Sequence, residues 1–212
     1  MSPDTAILAF ARAPVPGMAK TRLIPLLGAK GAAMLHQRLV LHTLATAATF
    51  APGSIELWCA PDDSHPFLRT AALRHGASLR VQQGADLGAR MAQAFSQALR
   101  QHRHAIIIGT DCPALKVAHL QDAAAALDAG HDAVFAPTED GGYALVGLAG
   151  VAPRLFAGIA WGGSAVMADT RMRLSDSGLR WQELATLWDV DRPDDYHRLV
   201  QSGLLDALPG TA

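Results

Sequence analysis

Residues 106–115, I-I-I-G-T-D-C-P-A-L, constrain the fold more than any other stretch of the chain. Three β-branched apolar residues run into Gly109, Thr110 and Asp111 with no polar position between them. A half-exposed strand would alternate, whereas an unbroken apolar run suits a strand covered on both faces of a parallel sheet. Pro113 cannot donate to a ladder, so the strand ends at or before it. Asp111 then stands just past the carboxyl end of a central strand, where open α/β sheets take their ligands. A carboxylate there can hold a hard cation, which in turn holds phosphates. It can equally cap the next helix, expected to begin near Val117. This stretch leaves both roles open.

The flanking sequence repeats the pattern of strand, loop and helix. Residues 5–11 read as a first strand, followed by a Pro/Gly-rich loop, residues 12–22. Leu35, Leu39 and Leu44 recur at helical spacing, giving a helix over about 30–49 that Pro52-Gly53 ends. Strands are expected at 54–60, 78–81, 132–137 and 143–148, and a late one at 180–187. Helices are expected over 66–75, 89–101, 117–128, 164–177 and 194–202. Short connections between alternating strands and helices predict a mainly parallel sheet with right-handed crossovers. The neighbouring strands around Asp140 read as an antiparallel excursion added to it. With 212 residues and no internal repeat or linker, the chain is expected to form one domain spanning 1–212.

A formal net charge of −1 gives no reason to expect nucleic acid or an anionic membrane as a partner. Cys59 and Cys112 form neither a metal-ligand spacing nor a disulfide framework, which predicts reduced thiols. Met1-Ser2-Pro3-Asp4 lacks the basic start and apolar run of a signal peptide, and no run approaches a membrane span. A cytoplasmic protein without membrane insertion is the expectation.

Four constellations could carry chemistry. In the first loop Ala11 and Arg12 precede Gly17, Lys20 and Arg22, and such loops at strand ends cradle phosphates. G-M-A-K-T is not a Walker A loop, which needs a glycine directly before the lysine. A solvated surface turn is the plain alternative. Residues 82–91 offer Gln83 beside Gln82, then Asp86, Gly88 and Arg90 at a helix start. The amides could read a base edge and the glycine admits a close ligand, while Asp86 could simply cap the helix. Glu139-Asp140-Gly141-Gly142-Tyr143 combines carboxylates, a flexible turn and a ring. It suits a hydroxylated ligand, or an ordinary hairpin. In Asp189-Val190-Asp191-Arg192-Pro193-Asp194-Asp195 the last two acids complement a helix dipole, leaving Asp189 and Asp191 to point elsewhere. The nine histidines show no zinc-type pairing, and Ser164 in G-G-S-A-V is not a nucleophile elbow.

Taken in order, A-x-A-P-V-P-G-x-x-K-T-R-L, D-L-G-x-R-M, I-G-T-D-C-P-x-L, E-D-G-G-Y-x-L-x-G-L and D-V-D-x-P-D-D resemble one family of small bacterial proteins. This is the DUF2064 group, also described as selenodomain-associated glycosyltransferases, within the nucleotide-diphospho-sugar transferase superfamily of GT-A fold. The resemblance runs from about Ala6 to Leu199. It implies a three-layer α/β/α sandwich with a mixed, mainly parallel sheet. It further implies that Asp111 and Asp191 bind Mg²⁺ or Mn²⁺, and that the loop carrying Gly17, Lys20 and Arg22 holds the nucleotide phosphates. An acceptor would lie near Asp140, Gly141, Tyr143 and Trp161. Family members commonly carry Thr and Pro after that tryptophan, whereas this chain has Gly162 and Gly163.

Three functions follow. The leading one is metal-dependent glycosyl transfer from a nucleoside diphosphate sugar to a small acceptor, with Asp140 and Asp111 as catalytic residues. The second is guanylyltransferase-like nucleotidyl transfer from an NTP to a phosphorylated small molecule. The third is a nucleotide-binding regulator without turnover, for which two metal-binding carboxylates are superfluous. The acidic, aromatic character of the acceptor region favours a neutral hydroxyl over a phosphate, unless Arg154 or Arg171 folds back into it.

Overall fold

The apolar run is the fourth strand of a seven-stranded sheet, with both faces shut from water. The structure, a computed structural model, describes residues 4–205 and 208. Met1-Ser2-Pro3 and the far ends of the 1–212 span lie outside the described residues. Strands β1 (Thr5–Arg12), β2 (Ile55–Ala60), β3 (Ser78–Val81), β4 (His104–Gly109), β5 (Ala133–Pro137), β6 (Tyr143–Leu148) and β7 (Trp181–Glu183) pair in the order β3-β2-β1-β4-β6-β5-β7. Contacts β1–β2, β1–β4, β2–β3 and β5–β7 are parallel, and β6 runs antiparallel to both β4 and β5. The antiparallel excursion is therefore a single strand, β6.

Among the described residues six α-helices accompany the strands: α1 (Ile24–Phe50), α2 (Pro66–His75), α3 (Leu87–Ala98), α4 (Val117–Asp128), α5 (Val166–Ser177) and, after the last strand, α6 (Pro193–Ser202). Alternation along each strand sends successive side chains to opposite faces. Ile7, Ala9, Ile106 and Ile108 pack with Val40 and Leu44 of α1, Leu68 of α2 and Leu120 of α4. Ala6, Leu8, Ala105 and Ile107 pack on the other face, with Met91 and Phe95 of α3 and Met167 and Leu174 of α5. The expected three layers are thus present. A third cluster joins Leu35 and Leu39 of α1 to Tyr196 and Leu199 of α6.

Two elements depart from the sequence expectation. Helix α1 begins at Ile24, but Gly28 at φ 68° interrupts it, so its regular part begins about where the leucine spacing begins. The late strand is only Trp181–Glu183. Beyond it the chain keeps touching β5 irregularly, through Leu184 N–H to Phe135 O at 2.8 Å and a bridge between Thr138 and Leu187. Among the described residues no helix is long and apolar enough to cross a membrane. Cys59 and Cys112 are buried free thiols, and burial pushes both up to about 12.

Candidate functional site

Asp111 stands two residues past the end of β4 and does not cap α4. The N-cap position of that helix is Lys116, whose N–H is taken by His119 Nδ1 at 2.9 Å. The carbonyl of Asp111 instead accepts from Val190 N–H at 2.9 Å, which fastens residues 189–191 to the end of the central strand. Val190 is fully buried, and its two acidic neighbours part company: Asp191 lines one hollow beside Asp111 and Asp189 lines another.

On one side, Lys20 turns inward from the first loop. It holds φ 49°, the positive-φ non-glycine among the described residues, and its side chain is only 5% exposed. Its Nζ lies 3.0 Å from Asp111 Oδ2 and 3.9 Å from Asp191 Oδ1. Arg22 donates from Nη1 to Asp191 Oδ2. Burial pushes the Asp111 carboxyl up, but the charges of Lys20 and then His36 outweigh it and hold it below its ordinary value. His36, buried on α1, has Nε2 3.0 Å from Arg12 O and Nδ1 3.8 Å from Asp111 Oδ1. Nothing in the sequence pointed to His36, which reads there as one more residue of a helix.

These side chains line a groove of about 730 Å³ together with Ala11, Arg12, Asp86 and Arg90. Asp86 also caps α3, accepting from Ala89 N–H at 2.8 Å, and Arg90 Nε donates to Gly84 O at 3.2 Å. Gly17 and Gln83 are exposed and line neither this groove nor its neighbour. Gln82 faces the groove instead, and its amide braces the ends of β1 and β2 through Ala11 O and Trp58 O. Gly88 serves packing. A Cβ there would stand 2.4 Å from Phe156 O and 2.9 Å from the Trp161 ring.

On the other side of Asp111 an adjoining cavity of about 330 Å³ is lined by Phe10, Met91, Asp140, Tyr143, Trp161 and Asp189, among others. Among the described residues no Lys, Arg or His belongs to its lining. Asp140 Oδ1 accepts from Thr138 Oγ1 at 2.5 Å and Gly142 N–H at 3.0 Å, so the turn fixes that carboxylate. Burial and the nearby Asp140 charge push Asp189 up to about 6. The Tyr143 and Trp161 rings meet edge-on at 6.4 Å. Gly141 does not line the cavity. It lies against the start of α5, accepting from Met167 N–H at 2.8 Å, and a Cβ there would stand 2.0 Å from the O of Ser164, just before that helix. Arg171 is committed to Glu183 at 2.7 and 2.8 Å, and Arg154 lines a separate cavity, so neither enters. Strict alternation along an extended D-V-D would put its two acids on one side, so only the structure shows that Asp189 lines this cavity and Asp191 the groove.

A parallel-sheet α/β domain with one reversed strand and a charge-divided cleft at the carboxyl ends of its strands is the class that fold and site define. The sequence profile of the DUF2064 family, described as uncharacterized protein conserved in bacteria, matches residues 43–163. The chain belongs to that family. It is similar over 96% of its length to the crystal structure of a candidate nucleotide-diphospho-sugar transferase from Desulfovibrio desulfuricans, with 30% identity, 88% of that chain covered and a TM-score of 0.86. A cytidylyltransferase from Leptospira borgpetersenii is 14% identical, with 94% and 87% of the two chains covered and a TM-score of 0.59. Glucosyl-3-phosphoglycerate synthase from Mycobacterium tuberculosis, solved with Mn²⁺, UDP and its glucosylated product, is 12% identical over 95% and 81%, with a TM-score of 0.52. The last two likenesses establish the shared fold alone. No curated protein sequence matches the chain.

Proposed function

We propose that this protein is a transferase that moves a glycosyl group from a nucleoside diphosphate sugar to a small, unphosphorylated hydroxyl acceptor. The observation that carries the reading is the division of charge about Asp111. Arg12, Lys20, Arg22 and Arg90 line one lobe, and the adjoining lobe has carboxylates and rings but no cation. A diphosphate is stabilised in the first by charge-assisted hydrogen bonds and repelled from the second. The likeness to a candidate nucleotide-diphospho-sugar transferase at 30% identity supports the same assignment.

In this reading Lys20 and Arg22 bind the diphosphate, and Arg12 and Arg90 flank it. Asp86 faces the same lobe and Ala11 forms its floor; Gly17 lets the loop turn, and Gly88 lets the wall at Trp161 close. Gln83 is left at the rim, outside the lining. The acceptor lies against Tyr143 and Trp161 with its hydroxyl directed at Asp140 and Asp189, and Gly141 seats the turn that carries Asp140. The hydroxyl oxygen attacks the anomeric carbon, the bond from that carbon to the diphosphate oxygen breaks, and the hydroxyl proton passes to a carboxylate of the pair. Lys20 and Arg22 take up the charge that develops on the departing diphosphate.

The residues also suit a divalent cation. Asp111 and Asp191 present hard oxygen donors and already share one positive group, the Lys20 ammonium. Among the described residues no three His, Cys, Asp or Glu side chains form a metal cluster, so phosphate oxygens and water would complete the coordination. Mg²⁺ or Mn²⁺ held there would supply further neutralisation of the diphosphate.

A second reading, nucleotidyl transfer, draws on the same basic lobe, which would also suit a triphosphate. One assay separates them. The protein is incubated with Mn²⁺, a panel of nucleotide sugars and neutral acceptors, and in parallel with NTPs and sugar phosphates. Release of nucleoside diphosphate is the expected result. Pyrophosphate release from an NTP with a phosphorylated acceptor, with nucleotide sugars inert, would overturn the assignment.

A further inference from the structure

His36 faces Asp111 in a way that the charge of the surrounding loop does not explain. The Arg12 carbonyl, 3.0 Å from His36 Nε2, can only accept a hydrogen bond, so Nε2 carries the hydrogen. Nδ1 of the neutral ring then presents a lone pair. It points toward Asp111 Oδ1, another acceptor, at 3.8 Å. Both atoms are buried and neither has a hydrogen-bond partner. Burial holds the ring below its ordinary pKa, against the pull of Asp111. Two buried acceptors in opposition are costly unless something positive lies between them.

The other carboxylate oxygen, Oδ2, already meets Lys20 Nζ at 3.0 Å. A cation on the face between Asp111 and Asp191 must displace that ammonium, whereas the Oδ1 face is not taken by it. Two ligand bonds of about 2.1 Å together exceed the 3.8 Å gap, so one ion can touch both atoms. A ring whose second nitrogen donates to a backbone carbonyl is the usual arrangement of a metal-ligating histidine.

We propose that the divalent cation is held by His36 Nδ1 and Asp111 Oδ1 in place of the Asp111–Asp191 pair that Lys20 occupies, at a site that favours Mn²⁺ over Mg²⁺ and is completed by a diphosphate in the basic lobe. It rests on the reading that a diphosphate occupies that lobe. An imidazole nitrogen disfavours Mg²⁺, which takes oxygen ligands, more than it disfavours a transition-metal ion. The neighbouring Lys20 charge weakens the site until a diphosphate draws the ammonium away, so metal and diphosphate bind cooperatively.

Pulsed electron paramagnetic resonance on the full chain with Mn²⁺ and inorganic pyrophosphate tests the site directly. The wild-type spectrum is expected to show nitrogen-14 coupling from a bound imidazole. His36→Gln is expected to lose it, with Mn²⁺ affinity down about tenfold or more. Bound Mn²⁺ without nitrogen coupling, coupling that survives in His36→Gln, or no Mn²⁺ binding at all would each overturn the proposal. The wild-type spectrum decides even if the variant fails to fold. Calorimetry with UDP and GDP tests the nucleotide reading separately. Nucleotide binding with no nitrogen coupling removes this site and keeps that reading, and coupling without nucleotide binding does the reverse.

Discussion

The two lobes on either side of Asp111 are built from different halves of the sheet. The basic lobe lies at the carboxyl ends of the parallel strands β1, β3 and β4, where loops lead into α1 and α3. Such loops are free to carry long cationic side chains. The acidic lobe is walled by the reversed strand β6 and by the tight turn joining it to β5. There the chain supplies ring and aliphatic surface, with carboxylates fixed at the turn and on the 189–191 segment. Strand reversal thus changes the material available to the site. On the proposed reading, the electrostatics of this cleft set the direction of an elongated ligand before any specific contact is made.

The comparison is broken most completely at the residue the lobes share. Asp111→Ala is expected to lower turnover on the order of 10²–10³-fold while the circular dichroism spectrum stays native. Retained nucleoside diphosphate release would show that Asp111 is no more than the junction of two cavities.

Next come substitutions confined to one lobe. Lys20→Ala is expected to weaken a nucleoside diphosphate by about 1.5–3 kcal/mol and the free nucleoside far less, measured by calorimetry. Equal losses for both ligands would place Lys20 away from phosphate. Asp140→Asn is expected to raise the acceptor KM and lower kcat, with nucleotide affinity unchanged. A loss of nucleotide affinity in this variant would mean that the lobes are one site and the charge division is incidental.

Gly141→Ala probes how the acidic lobe is held. The added carbon would meet Ser164 O at 2.0 Å, so α5 or the turn must shift. A loss of roughly 1–3 kcal/mol in denaturant unfolding is expected, with the acceptor KM rising in step. Wild-type stability would show that the turn and α5 are not tightly docked.

The smallest effect lies outside both lobes. His104, at the start of β4, is buried, and burial holds it below the ordinary imidazole range despite Asp128 Oδ1 at 3.5 Å. The unfolded chain therefore takes up a proton at a higher pH than the native one. Its contribution is complete above pH 6.5 and is lost as pH falls through the native value. The melting temperature should drop in that window, and less steeply in His104→Asn. An unchanged slope would assign the drop to His36, His75 and His119, which burial also lowers.

What the sequence determined by itself is the part governed by local pattern. The apolar run at 106–108 identified a covered strand, and D-C-P identified its end, because burial and the missing proline N–H act on the residues that carry them. The alternation of strand and helix was legible for the same reason, down to the bounds Val117–Asp128 of α4. The family motifs carried the fold and drew attention to Lys20, Arg22, Asp111, Asp140 and Asp191. Tertiary structure decided what those residues meet. The hydrogen bond from Val190 to Asp111 O joins residues nearly eighty positions apart at one strand end, and the backbone bonds of Leu187 to Pro137 and Glu139 hold the same segment beside Asp140, where Asp189 feels its charge. Only the packing of α1 on the sheet aims His36 at Asp111, since helical spacing specifies a buried face but not the polar group it will find there. Gln82 and Gln83 are adjacent amides in the sequence. Strand pairing turned the first toward the groove and left the second in solvent, because a one-residue step along an extended chain reverses the side.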